Sequence, residues 1–118
     1  MSGNVHWILE VGINDGELDN FKQLMNEMVE ATQANEPGAL NYEWFISEDG
    51  KTCHINEWFR DTAAHAAHGQ GFAKFADRFL ACVDIVRMTV YGDPEPKARE
   101  ALAGLNPTYL AGIGGFRR

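Results

Sequence analysis

Alternation of apolar and polar residues begins near the N-terminus. In residues 5–13, VHWILEVGI, Val5, Trp7, Leu9, Val11 and Ile13 fall on one face, and this period of two predicts a strand. Asn14-Asp15-Gly16 predicts a turn. Asn14 with Glu17 resembles a capping pair, and Glu17 and Asp19 suit the positive end of a helix dipole. Leu18, Phe21, Leu24, Met25, Met28 and Val29 then recur at helical spacing until Pro37-Gly38 stops the helix. Alternation returns in residues 39–47 and 52–59, on either side of Glu-Asp-Gly-Lys, and Asp49-Gly50 predicts a two-residue hairpin turn. That turn sets Leu40 opposite Phe59, Tyr42 opposite Glu57, Trp44 opposite Ile55 and Ile46 opposite Cys53. This face is apolar except for Tyr42 and Glu57. The other face carries Asn41, Glu43, Phe45, His54, Asn56 and Trp58.

A second helical region begins at Asp61, a good cap. A break is expected at Gly69-Gln70-Gly71, after which Phe72, Phe75, Ala76, Phe79, Leu80 and Val83 resume helical spacing. Residues 84–91, DIVRMTVY, predict a last strand, and a short amphipathic helix is expected around Ala98–Leu105. The order β-α-β-β-α-β predicts an α+β fold: a ferredoxin-like antiparallel sheet with its helices on one face. The expected division is a domain over 1–94 and a C-terminal extension over 95–118. The extension carries Leu102, Leu105, Tyr109, Leu110, Ile113 and Phe116, too apolar for a disordered end, so it is expected to pack on the domain or on a dimer partner. Phe45 and Trp58 lie on the sheet face that the helices leave uncovered. A second copy of the sheet is their simplest cover, which predicts a homodimer.

Composition narrows the function classes. With 118 residues, of which 45% are hydrophobic, the chain is long enough for one well-packed domain. A net charge of −7 disfavours a nucleic-acid partner, which needs clustered Lys and Arg. Cys53 and Cys82 are too few for a disulfide framework or a Cys-rich zinc site. The opening residues lack a signal-peptide pattern and no apolar run reaches membrane-spanning length, so a cytoplasmic protein without membrane or nucleic-acid partners is expected.

The candidate chemistry lies in residues 56–72, NEWFRDTAAHAAHGQGF. His65 and His68 share a helix face, but no third metal ligand stands at a recognisable spacing, so no metal site is predicted. His65 suits a polar-face role or a substrate contact. His68 lies directly before the expected helix break. Glu57 is more informative, because its register puts a carboxylate on the buried face, where it needs a partner. Tyr42, across the hairpin, is in place to donate a hydrogen bond to it. The pair is either a structural tie or the polar floor of a pocket in which burial raises the carboxyl pKa. Trp44, Phe59, Phe72 and Phe75 are either core or the walls of that pocket. Arg87, on the last strand, is a candidate partner for an acidic group. GIGGFRR is no dinucleotide fingerprint, lacking a preceding strand and a following helix.

Residues 36–72 resemble the antibiotic biosynthesis monooxygenase family, which includes quinol monooxygenases. Pro37-Gly38, Tyr42, Glu57, His68 and Phe72 carry the resemblance. It implies a dimeric α+β barrel and the oxidation of a small phenolic or quinol-type aromatic by O₂, without metal or flavin. In that reading His68, Glu57 and Tyr42 are catalytic, with His68 the base, and Trp44, Phe59, Phe72 and His65 contact substrate. No cofactor is implied. The alternative is a non-catalytic dimer of the same fold that binds a small molecule or haem. The family's cofactor-free enzymes place Asn and Trp four apart on the third strand, where this chain has Ile55 and Phe59. Gly71 stands where the family often has His.

Overall fold

The computed structural model describes residues 4–118, so the first three residues of the N-terminal reading lie outside it. Strand β1 spans Val5–Ile13, helix α1 Leu18–Asn35, β2 Ala39–Ile46, β3 Thr52–Phe59, α2 Thr62–Phe72, α3 Ala76–Cys82 and β4 Val83–Tyr91. Helix α4, Pro96–Leu102, follows with a 3₁₀ turn at Ala103–Leu105 and a short strand β5, Thr108–Leu110. The sheet runs β2-β3-β1-β4-β5, antiparallel except for the parallel β4–β5 pair. Its first four strands have the ferredoxin-like order, so the chain is an α+β protein of that type, extended by one edge strand. No helix among the described residues is long and apolar enough to cross a membrane.

The period of two places the core. Every odd residue of β1 from Val5 to Ile13 is buried, as are Cys53, Ile55, Glu57 and Phe59 on β3. They pack against Phe21, Leu24 and Met28 of α1 and Phe79 of α3. The hairpin pairs Tyr42 with Glu57, Trp44 with Ile55 and Ile46 with Cys53, as the sequence predicts. A bulge between Ala39 and Asn41 sets Ala39, not Leu40, opposite Phe59, and Leu40 points outward. The turn is also longer than two residues. Gly50 N–H donates to Ser47 O, and Ser47 N–H to Thr52 O, which leaves residues 48–51 as a four-residue loop. Both turns are centred alike, so the register survives.

Other local expectations change. Glu17, not Asn14, precedes α1, with no side-chain cap; Asn14 instead accepts Glu17 N–H through its carbonyl. Asp61 does cap α2, accepting Ala64 N–H at 2.8 Å. Helix α2 continues through Gly69 and Gly71, and the chain breaks later, at residues 73–75. Val83 begins the last strand instead of ending the helix.

The extension joins the main core through Ala98 and Leu102. Arg99 ties α4 down, donating to Asp93 and lying 4.0 Å over the Tyr109 ring. On the outer sheet face Phe45 and Val86 are exposed, while the exposed Ile46 ends β2 on the inner face, opposite Cys53. Trp58 is not bare: His6 stacks on it at 4.7 Å and the Arg117 guanidinium lies 4.0 Å from its ring centroid. Arg87 pairs with Glu10 at 3.1 Å.

Leu102 is 4% exposed, so Leu102→Ala should lower unfolding stability by about 2–4 kcal/mol in urea titrations. Leu110→Ala, at a residue 47% exposed, should change it by less than about 0.5 kcal/mol.

Candidate functional site

Three ionisable side chains meet beneath α2. Glu57 stands on the inner face of β3, only 4% exposed. His68 projects from the second turn of α2 and brings Nε2 to 2.9 Å from Glu57 Oε1. Its Nδ1 lies 2.9 Å from Oε1 of Glu36, in the link between α1 and β2. The Glu36 bond is well aligned. The Glu57 contact is close but off the ring N–H axis, so Glu57 Oε1 keeps capacity for another donor.

Two glycines permit this approach. A Cβ on Gly38 would sit 2.5 Å from Ala64 Cβ, so only glycine lets the α1–β2 link pass against α2. A Cβ on Gly71 would meet Glu36 Oε2 at 2.8 Å. Gly71 therefore leaves room for the carboxylate beside His68 and does not end the helix. Glu36 has no place in the sequence reading. The available signal was electrostatic: an acidic residue at the end of α1 faces the negative pole of the dipole, so another partner must hold it there.

The environment sets the charges. Burial pushes the Glu57 carboxyl above its usual range; His68 draws it partly back, and the Glu36 charge adds to the rise. Burial opposes a charge on His68, but the close approach of the Glu57 carboxylate, then the hydrogen bond and charge of Glu36, outweigh it and raise its pKa from 6.5. His65 behaves oppositely. Burial, then the His68 charge, lowers its pKa to about 4. Its Nε2 accepts the Trp7 indole N–H at 3.2 Å, which a neutral imidazole can do. His65 is therefore a buried partner of the core and not a polar-face residue. Burial and the two carboxylates raise the Tyr42 pKa, so its phenol stays protonated.

A cavity of about 560 Å³ borders the cluster. Tyr42, Glu57, His65, His68 and Gln70 give it polar groups; Trp7, Met28, Phe72, Phe79 and Met88 are among its apolar walls. The extension contributes Ala101, Leu102 and Leu105. Of the residues singled out in the sequence, Tyr42, Glu57, His65, His68 and Phe72 thus come together. Trp44 and Phe59 stay in the core: Trp44 packs on Phe21 and Tyr42, and Phe59 against the His68 ring at 4.9 Å. Phe75 lines a separate crevice of about 160 Å³ behind Glu36. Tyr42 does not bond Glu57; its ring lies edge-on to His68 at 5.0 Å, and His68 is the carboxylate's partner. For haem the fit is poor, because neither cavity histidine presents a free, unprotonated nitrogen: both His68 nitrogens face carboxylates and His65 Nε2 faces Trp7.

The arrangement can accept and return a proton inside a largely apolar chamber. Glu57 is a stronger base than a surface carboxylate, and His68 stabilises its negative charge.

A family model described as antibiotic biosynthesis monooxygenase matches residues 5–84. The crystal structure of MupZ from Pseudomonas fluorescens superposes with a TM-score of 0.87 at 25% identity, covering 99% of this chain and 96% of that one. SnoaB from Streptomyces nogalater, a cofactor-independent oxygenase, superposes with a TM-score of 0.66 at 13% identity over 80% of this chain and 96% of its own. A conserved protein from Methanosarcina mazei gives 0.66 at 14% identity, over 75% and 91%. These last two likenesses concern the fold alone. No curated protein matches the chain.

The two histidine pKa values should be displaced in opposite directions from the ordinary one. In ¹³C NMR of the imidazoles, His65 should change charge near pH 4 and His68 above 6.5. A raised folded pKa stabilises the protein fully below the unfolded value of 6.5 and ceases to do so as pH rises through the folded value. The stability that His68→Gln loses should therefore be largest below pH 6.5 and shrink at higher pH. A constant difference across the range would contradict the charged assignment.

Proposed function

The chain belongs to the antibiotic biosynthesis monooxygenase family, and from that premise we propose a cofactor-independent oxidation of a small phenolic or quinol-type aromatic by O₂. The observation that carries this reading is the buried Glu36–His68–Glu57 series against a largely apolar 560 Å³ cavity. A phenol seated there gives its hydroxyl proton to Glu57, and His68 stabilises the carboxylate before transfer and shares the proton afterwards. The phenolate is electron-rich enough to react with O₂ directly. One oxygen atom becomes a ring carbonyl and the other leaves as water; the substrate supplies all four electrons. The proton held by the cluster is returned to the departing oxygen. Tyr42, kept protonated, orients the head by a hydrogen bond, and Phe72 covers the ring. The apolar walls keep water from the intermediates. In this scheme the base is the Glu57–His68 pair and not a free imidazole.

A second reading is favoured by the cluster itself, which holds both a proton donor and an acceptor and needs no oxidant. It is a non-oxidative proton transfer, such as isomerisation or addition of an oxygen nucleophile to an electrophilic carbon. A pocket that binds without reacting is the third outcome. Oxygen uptake with a panel of naphthols and dihydroxyaromatics, read beside thermal shifts, separates them. For the oxygenase, uptake should accompany binding, and ¹⁸O₂ should place one label in the product. Glu57→Gln and His68→Ala should each cut turnover by roughly 10²-fold or more. Binding without uptake would leave the other two readings.

The working unit in this proposal is a homodimer in the cytoplasm, to which two free, buried thiols, Cys53 and Cys82, are suited. The exposed Phe45 and Val86 support a sheet-to-sheet contact. Sedimentation at micromolar concentration should give a dimer, and Phe45→Asp should shift it toward monomer by forcing a charge into an apolar contact. A monomeric parent would rule out this assembly.

A further inference from the structure

The cavity opens onto a groove. Ala66, Gln70 and Ala101 are exposed, yet they line the cavity and so form its mouth. Together with His65 they also line a depression of about 840 Å³ between α2 and α4. Ala63, Ala67, Pro96 and Ala98 complete its apolar surface, and Thr62, Glu95, Lys97 and Glu100 give it a rim of mixed charge. One side of the groove comes from the extension, outside the stretch that the family model matches.

Small side chains alone would say nothing about a ligand. The second observation is His65, 6% exposed and set at the seam between the two spaces. Its Nε2 accepts from Trp7, so the neutral ring carries its proton on Nδ1. The hydrogen bond to Trp7 engages Nε2 only and leaves that N–H available to a ligand. The ring borders both spaces, so a molecule that spans them lies beside it.

We propose that the substrate is elongated: its reacting head lies against Glu57 and His68, its apolar chain runs over Ala66 and Ala101 into the α2–α4 groove, and His65 Nδ1–H donates to a ligand oxygen at the seam. This rests on the placement of the head under the proposed function and goes beyond it in naming the class, an alkyl- or acyl-substituted aromatic and not a bare ring. The mixed rim places no net demand on the far end of the chain, which ends in solvent. Specificity then resides in α4 and the alanine face of α2, apart from the charged cluster.

The test is calorimetric binding of 1-(4-hydroxyphenyl)alkan-1-ones with chains of two to ten carbons, which combine a phenol head with a ketone oxygen. Affinity should climb about three- to four-fold per methylene while the chain crosses the groove, then level off. Ala67→Trp fills the groove without touching the cavity. It should flatten the series and leave the two-carbon compound within about two-fold of the parent. A 4-alkylphenol of matched length, lacking the ketone, should bind about five- to ten-fold more weakly, the scale of one hydrogen bond. This ligand-side deletion tests His65 without risking the fold. A flat series in the parent, or a rising one untouched by Ala67→Trp, overturns the groove. Insensitivity of the two-carbon compound to Glu57→Gln instead counts against the head's placement and leaves the chain-length dependence standing. Failure of every member to bind overturns both.

Discussion

A carboxylate on the inner face of a hydrophobic sheet is the constraint from which the site is built. Glu57 alternates in β3 with Ile55 and Phe59, and the strand offers it no polar neighbour on that face. Leaving it unpaired would cost several kcal/mol or neutralise it. His68 supplies the counter-charge only because α2 lies flat over β3. Its imidazolium, also buried, needs a second acceptor, and Glu36 provides one. Each member is tolerable because of the next. Such a series contributes little net stability, since desolvation of three charged groups offsets their attraction. What it fixes is geometry: the height of α2 over the sheet, and the tight link that brings Glu36 beneath it.

The sequence carried the fold more openly than the site. Period-two alternation in β1 and β3 and the Tyr42–Glu57 register could be read directly, because a one-residue slip would have exposed every core residue of the strand. The helix break was misplaced for a physical reason. A glycine signals either a chain that must turn or a neighbour that must come close, and at Gly71 the second applied. Only the position of Glu36 distinguishes the two, and that is tertiary information. Glu57 was recognisable as a buried acid, but its partner was assigned across the hairpin to Tyr42 when it comes from a helix above. The aromatics divided likewise: Phe72 faces the cavity, whereas Trp44 and Phe59, equally apolar in sequence, are packed behind it.

The sheet has two unlike faces, and the extension serves both. Its helix forms one wall of the cavity on the inner side, where Leu102 belongs at once to the hydrophobic core and to the pocket wall. Its last residues cross to the outer side, where Arg117 covers Trp58. The outer face is accordingly not uniformly apolar. His6, Asn56 and Asn41 form a hydrogen-bonded line across it, beside the exposed Phe45.

The wall contributed by α4 has a consequence over evolutionary time. The charged cluster is drawn from the α1–β2 link, β3 and α2, where a change in one member strands the others. Residues on the exposed side of α4, such as Ala101, carry no such debt to their neighbours. A lineage can recut that side of the chamber one substitution at a time while the charged cluster stays intact. One pocket thus joins a floor whose members can change only together to a wall whose residues can change singly.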